Sequence, residues 1–208
     1  MSGDDPYITR DKRASDWRAF RAMLMVGGDP TAWERAFTEY FRARLSLRYL
    51  NPIRLLQEHG SAEGEGFSIL AIQCTLVEFF ESTVQGLNYR YVRRGATSRP
   101  HEYSDSAALF TGFLCTREPF AREFDQNLAD DFYAGVRCGL LHEARTKNGW
   151  LVWTSDASGK VVDRGRKVVF RDSFQRGLDA FIAWYEKALP HDARLQQAFI
   201  RKFDSLCE

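Results

Sequence analysis

The stretch from Phe67 to Leu87 constrains the fold more than any other part of the chain. Ile69, Leu70, Ile72, Cys74, Leu76, Val77, Phe79 and Phe80 make it apolar nearly all round. A helix with no polar face is stable only when other elements surround it. The spacing therefore predicts a mainly α protein with this helix buried among others. Glu78 and Glu81 interrupt the apolar surface, and a carboxylate set between Val77 and Phe79 needs an ion or hydrogen-bond partner. At 208 residues, 44% hydrophobic and 14% aromatic, the chain can build its core without disulfides or metal.

The segments before this helix read as an N-terminal helical extension over residues 1–60. A polar tail to residue 13 precedes a helix near Ser15–Met25 with Trp17, Phe20 and Leu24 as its stripe. Asp29-Pro30 has helix-start chemistry, an N-cap acid followed by proline in the first turn. That helix is expected to reach Tyr49, to break at Asn51-Pro52, and to give way to a short helix ending near Glu58. The Gly-rich connector from His59 to Gly66 marks the boundary to a bundle over 61–208.

Downstream, residues 88–105 are expected to be irregular. Tyr89-Arg90-Tyr91-Val92-Arg93-Arg94 and Arg99-Pro100-His101 mix cations with aromatic rings. That mixture suits an ordinary surface loop or single-stranded RNA, whose bases stack on rings while arginine meets phosphate. Ser104-Asp-Ser106 caps a helix to Cys115, and another begins near Pro119. After Ala144 the period changes. Trp150–Thr154, Lys160–Val162 and Lys167–Phe170 are β-branched and aromatic, and turn residues separate them, so a small β-hairpin or three-strand meander is expected near 149–170. A last long helix starts at Asp172-Ser173 and stops at Pro190, with a short one through Phe199 and Phe203.

The net charge of +1 advertises no global nucleic-acid field, so an RNA site has to be a local patch. The four cysteines lack metal-ligand spacing and read as reduced thiols of a cytoplasmic protein. The chain's first residues lack the apolar segment of a signal peptide, and no apolar run is expected to span a bilayer. There is no phosphate-binding glycine loop, paired acidic metal site or nucleophile elbow.

The remaining chemistry lies in Asp130–Ala144, an apolar helix end. Phe132, Val136, Leu140 and Leu141 recur at helical spacing, and Arg137 and His142 are set among them. Taken singly, Arg137 reads as a core-edge arginine paired with Glu78, Asp130 or Asp131. His142 reads as a histidine favoured by the C-terminal end of the helix dipole. Five residues are about 500° of α-helix, so the two do not share a face unless the helix distorts near Gly139 or a second copy supplies its own pair.

This Arg-x4-His arrangement at the end of an apolar helix resembles the signature of the HEPN superfamily, over roughly residues 66–190. The residue after the arginine, often Asn, Asp or His in that family, is Cys138 here. The resemblance implies a HEPN-like antiparallel helical bundle and a metal-independent endoribonuclease without a cofactor. Arg137 and His142 would be catalytic, Glu78 would orient Arg137, and Arg145, Lys147, Arg93 and Arg94 would contact RNA. In that chemistry the RNA supplies its own 2′-hydroxyl as nucleophile. An imidazole, which titrates near pH 6.5, takes the proton, and a guanidinium clamps the phosphoryl oxygens. The resemblance also implies a homodimer with a shared cleft, and a place in toxin–antitoxin pairs with a nucleotidyltransferase-type antitoxin or in phage defence. Some members have lost activity and serve as dimerisation or interaction modules, and Cys138 leans toward that alternative.

Overall fold

The computed structural model describes residues 5–61, 63–92, 97 and 99–208. Helix α1 (Ala14–Arg21) precedes α2 (Pro30–Ala36), whose path stays helical through two π turns, Phe37–Arg42 and Ser46–Leu50. Between those turns lies α3 (Ala43–Leu45), and α4 (Asn51–His59) follows without interruption. Thus Asn51-Pro52 does not break the helix as expected. Pro52 has no N–H to donate, and the wider π turn directly before it changes the hydrogen-bond register at that point.

The chain continues with α5 (Glu65–Gln85), strands β1 (Asn88–Tyr89) and β2 (Glu102–Tyr103), and α6 (Ser106–Thr116). A 3-10 turn at Phe120–Arg122 leads to α7 (Gln126–Phe132), a π turn over Tyr133–Arg137 and α8 (Cys138–Glu143). Strands β3 (Leu151–Trp153), β4 (Val162–Asp163) and β5 (Val168–Phe170) come next, then α9 (Arg171–Ala188) and α10 (Ala193–Ser205). The protein is mainly helical, as its periodicity predicts.

Two compact units form, both from discontinuous segments. The first contains Met1–Pro52, Ser82–Ser104 and Trp184–Glu208; the second contains Ile53–Glu81 and Asp105–Ala183. This division differs from the expected extension over 1–60 and bundle over 61–208. Local periodicity locates helices, but which ends of the chain pack together depends on contacts distant in sequence.

The first unit is built on an aromatic cluster. Trp17 meets Tyr40 edge-on at 5.1 Å and lies 5.3 Å from Phe203, which stacks on Phe199 at 4.3 Å. The Trp17 indole donates to Asp204 at 2.8 Å, so its one polar atom is satisfied. In this unit β1 and β2 pair in parallel, where irregular chain was expected.

The second unit is a lattice of phenylalanines from α5, α6, α7 and α9. Phe80 stacks on Phe181 at 4.9 Å, and Phe132 lies nearly parallel to Phe174 at 5.8 Å. Phe120 joins Phe113 at 5.5 Å and Phe174 at 4.9 Å. Fully burying one such side chain contributes about 1.5–3 kcal/mol. A Cβ at Gly177 would come within 2.6 Å of the Phe120 ring, so α9 approaches that ring as closely as it does only because the position is glycine.

The three-stranded sheet has the order β3-β5-β4. β4 and β5 form the antiparallel hairpin, whereas β3 runs parallel to β5 with Leu151 opposite Val168. The expected strands are present, but the meander order is not. The buried Val168, Val169 and Phe170 make β5 the natural centre.

The 21-residue α5 is long and apolar enough to cross a bilayer, although no run of that length was expected. Its most apolar window is 56% buried within the protein, as suits a core helix.

Candidate active site

Helix α7 opens with Asp125, whose carboxylate accepts the Leu128 N–H at 2.9 Å. Leu128, Ala129 and Phe132 bury its inner face. The next turn then widens, and the Cys138 N–H bonds to the Tyr133 carbonyl five residues back. Single π turns of this kind realign the side chains that follow them.

The neighbouring backbone explains the local glycines. The chain returning from α8 lies directly on the helix, with the Lys147 N–H donating to the Gly135 carbonyl at 2.7 Å. A Cβ at Gly135 would be 2.6 Å from Trp150 Cδ1, and one at Gly139 would be 2.5 Å from the Arg145 carbonyl oxygen. Trp150 is locked there by its indole, which donates to Asp131 at 3.0 Å. Asp131 also takes Lys167 Nζ at 2.8 Å and Asn148 at 3.2 Å. Burial works against the Asp131 charge, but these donors outweigh it and hold the carboxyl below its ordinary range.

Arg137, the last residue of the π turn, meets Glu78 of α5 through Nη2 at 3.3 Å. Of the three partners open to it in sequence, Glu78 is the one engaged. Asp131 serves Trp150 and Lys167, and Asp130 accepts from Gln126 at 2.8 Å. The Ser106 hydroxyl donates to the other Glu78 oxygen at 2.7 Å. The guanidinium lies over the Tyr133 ring, 5.3 Å from its centroid. Its side chain is 20% exposed and that of Glu78 18%, so the pair is neither sealed in the core nor fully solvated. Burial opposes the Arg137 charge, yet Tyr133, Glu78 and Cys138 around it hold its pKa above the ordinary value. Burial raises the Tyr133 hydroxyl, with Arg137 opposing. Burial likewise pushes the Cys74 thiol, one turn before Glu78, up to about 12, so it stays protonated and inert.

His142 sits in the last turn of α8, exposed to solvent. Ala144 in the left-handed conformation (φ 53°) ends the helix just beyond it. No hydrogen bond or ion pair joins His142 to Arg137 among the described residues. Since α8 is regular from Cys138, the two are separated by about 140° around the helix axis. Cys138 and Leu141 project from the arc between them, and Leu141 is 62% exposed.

Arg145 and Lys147 lie beside this face, and both are engaged by Glu143, at 3.0 Å and 2.8 Å. The bonds from Lys147 and then Arg145 hold the Glu143 carboxyl below its usual range. Exposed pairs of this kind are weak and can exchange a carboxylate for a phosphate. Two further cations near the sheet are also paired, Arg164 with Asp125 at 2.7 Å and Arg166 with Asp163 at 3.0 Å. Arg93 and Arg94 lie outside the described residues.

Sequence reasoning missed Ser106 and Tyr133. Within the expected Ser104-Asp-Ser106 cap, Asp105 accepts the Ala108 N–H at 3.0 Å, which leaves Ser106 to serve Glu78. Tyr133 had a usable signal, its position four residues before Arg137. No metal-ligating group of three or more His, Cys, Asp or Glu occurs among the described residues. Comparison with family models, with curated proteins and with solved structures finds no match to this chain.

Proposed function

We propose that the protein is a metal-independent endoribonuclease of HEPN type, with Arg137 and His142 as its catalytic residues. The observation that carries this reading is the Arg137 setting. A permanently charged, partly exposed guanidinium ends a π turn, held by one carboxylate contact and braced over a tyrosine ring. His142, on the other edge of the same exposed face, is accessible as a base for the RNA 2′-hydroxyl. Arg137 stabilises the charge that builds on phosphate; the P–O5′ bond breaks, the 5′-oxygen takes a proton from water, and the products are a 2′,3′-cyclic phosphate and a 5′-hydroxyl.

The roughly 140° between the two residues argues for a second copy of the chain. A two-fold axis near Leu141 lets Arg137 of one protomer face His142 of its partner, and the contact covers an exposed leucine. Arg145 and Lys147 then contact the RNA backbone after leaving Glu143, and Glu78 positions Arg137. A toxin or phage-defence role, with a nucleotidyltransferase-type antitoxin as partner, follows from the same resemblance. One observation favours a second reading, an inactive HEPN-like dimerisation or RNA-binding module: Cys138, not a polar residue, occupies the surface between Arg137 and His142.

The test is cleavage of an end-labelled unstructured RNA in EDTA, with product ends identified. Cleavage to cyclic phosphate ends is expected. Intact RNA, together with a stable homodimer, would leave the inactive module as the account of this face.

A further inference from the structure

The first compact unit has its own concave site, a cavity of about 440 Å³ between β1, the turn before β2 and the end of α10. Its size falls within the roughly 300–1,000 Å³ range of small-molecule sites. The turn is formed by Arg99, Pro100, His101 and Glu102, and the Glu102 N–H closes it onto the Arg99 carbonyl at 3.0 Å. Pro100 fixes its second position, and His101 takes φ 64° at the third. That is the type II pattern, whose third position ordinarily goes to glycine because a Cβ is crowded there. The conformation sets the imidazole on the wall of the cavity.

The charges around it are unevenly committed. Glu102 accepts Arg90 Nη1 at 3.2 Å and the Arg99 N–H at 3.1 Å. Asp204 accepts the Trp17 indole and lies 3.7 Å from Arg21. Arg201 gives Nε and Nη2 to the carbonyls of Gly86 and Gln85, at 3.4 Å and 3.2 Å. The Arg99 guanidinium and the His101 ring make no hydrogen bond among the described residues. Glu208 also lines the cavity and is exposed. Tyr89, 58% exposed, offers an aromatic surface braced edge-on by Tyr103 at 5.6 Å.

We infer that this cavity binds a nucleoside monophosphate, with its base on Tyr89 and its phosphate held by Arg99, His101 and Arg201. Stacking on a ring supplies affinity with little base preference, and the guanidinium fork suits phosphate oxygens. The ligand is either a free nucleotide or the 5′-phosphorylated end of an RNA. No residue of the Arg137 site takes part, so the inference stands whether or not that site cleaves RNA.

The experiment is calorimetric titration of the full chain with each nucleoside 5′-monophosphate, with inorganic phosphate, and with a short oligonucleotide bearing either a 5′-phosphate or a 5′-hydroxyl. Mononucleotides are expected to bind more tightly than inorganic phosphate, and Tyr89→Ala to abolish that difference. Arg99→Gln and His101→Gly should each weaken binding about tenfold, the effect of one charge-assisted contact. His101→Gly relieves the left-handed strain, so its melting temperature should hold or rise and misfolding cannot explain its loss of affinity. A phosphorylated oligonucleotide that outcompetes mononucleotides would identify an RNA end as the source; one that binds more weakly would identify a free nucleotide. The Arg137→Ala/His142→Ala double variant should bind as the wild type does, which separates this result from the ribonuclease reading. Absence of saturable binding at millimolar nucleotide, or wild-type affinity in His101→Gly, would overturn the inference.

Discussion

Two glutamates three residues apart on α5 each hold an arginine, and they do so differently. Glu81 grips Arg117 through both oxygens, at 2.8 Å and 2.9 Å, and its side chain is only 4% exposed. Glu78 touches Arg137 through one nitrogen at 3.3 Å, and its other oxygen accepts the Ser106 hydroxyl at 2.7 Å. The first is the fork-to-fork geometry that fixes two helices. The second keeps a charge oriented without saturating it. Identical residue types on one helix thus serve a clamp and, in the proposed function, a poised phosphate ligand.

Substitutions separate the two pairs. Glu81→Ala removes the two-oxygen grip on Arg117 and should cost about 1.5–3 kcal/mol in denaturant unfolding, the usual worth of charge-assisted hydrogen bonds at a largely buried carboxylate. If Arg137→Ala costs as much, the two pairs are equivalent and the distinction fails. Gly135→Ala tests the packing that sustains the π turn. Its Cβ meets Trp150 and the Lys147 carbonyl, so a loss of about 1–3 kcal/mol is expected. Glu78→Gln keeps shape and one acceptor while removing charge. It should lower RNA cleavage about tenfold, with Ser106 still bonded and the melting temperature nearly unchanged. The smallest effect is expected at Arg145→Ala and Lys147→Ala. Each should leave stability unaltered, weaken RNA binding across sequences alike, and reduce the slope of log affinity against log salt by about one.

Much of this was legible in the chain. The all-round apolar character of α5 required a helical surround, and Glu78 required a partner. The Arg137 contact with Glu78 was one of three sequence alternatives, chosen by tertiary packing because Trp150 and Lys167 occupy Asp131. The π turn at Tyr133–Arg137 was not legible. It depends on the returning backbone that presses on Gly135 and Gly139, and the glycines alone do not say what approaches them. The strand β3 was legible, but its pairing was not, for a related reason. Its parallel partner, β5, lies beyond an intervening hairpin strand, and pairing of that kind leaves no local turn signal. Likewise His142 was placed correctly at a helix end, but helix geometry within one chain gives no route by which it meets Arg137.

That last gap defines the most direct measurement. Arg137→Ala and His142→Ala are purified, shown to be folded, and assayed on unstructured RNA in EDTA, first separately and then after mixing under conditions that exchange subunits. The account predicts cleavage by the wild type, a loss of about a thousandfold or more in each variant, and substantial recovery in the mixture, where one intact Arg137 faces one intact His142. Equal cleavage by all three proteins would contradict the catalytic assignment. Loss in both variants without recovery on mixing would contradict the shared cleft.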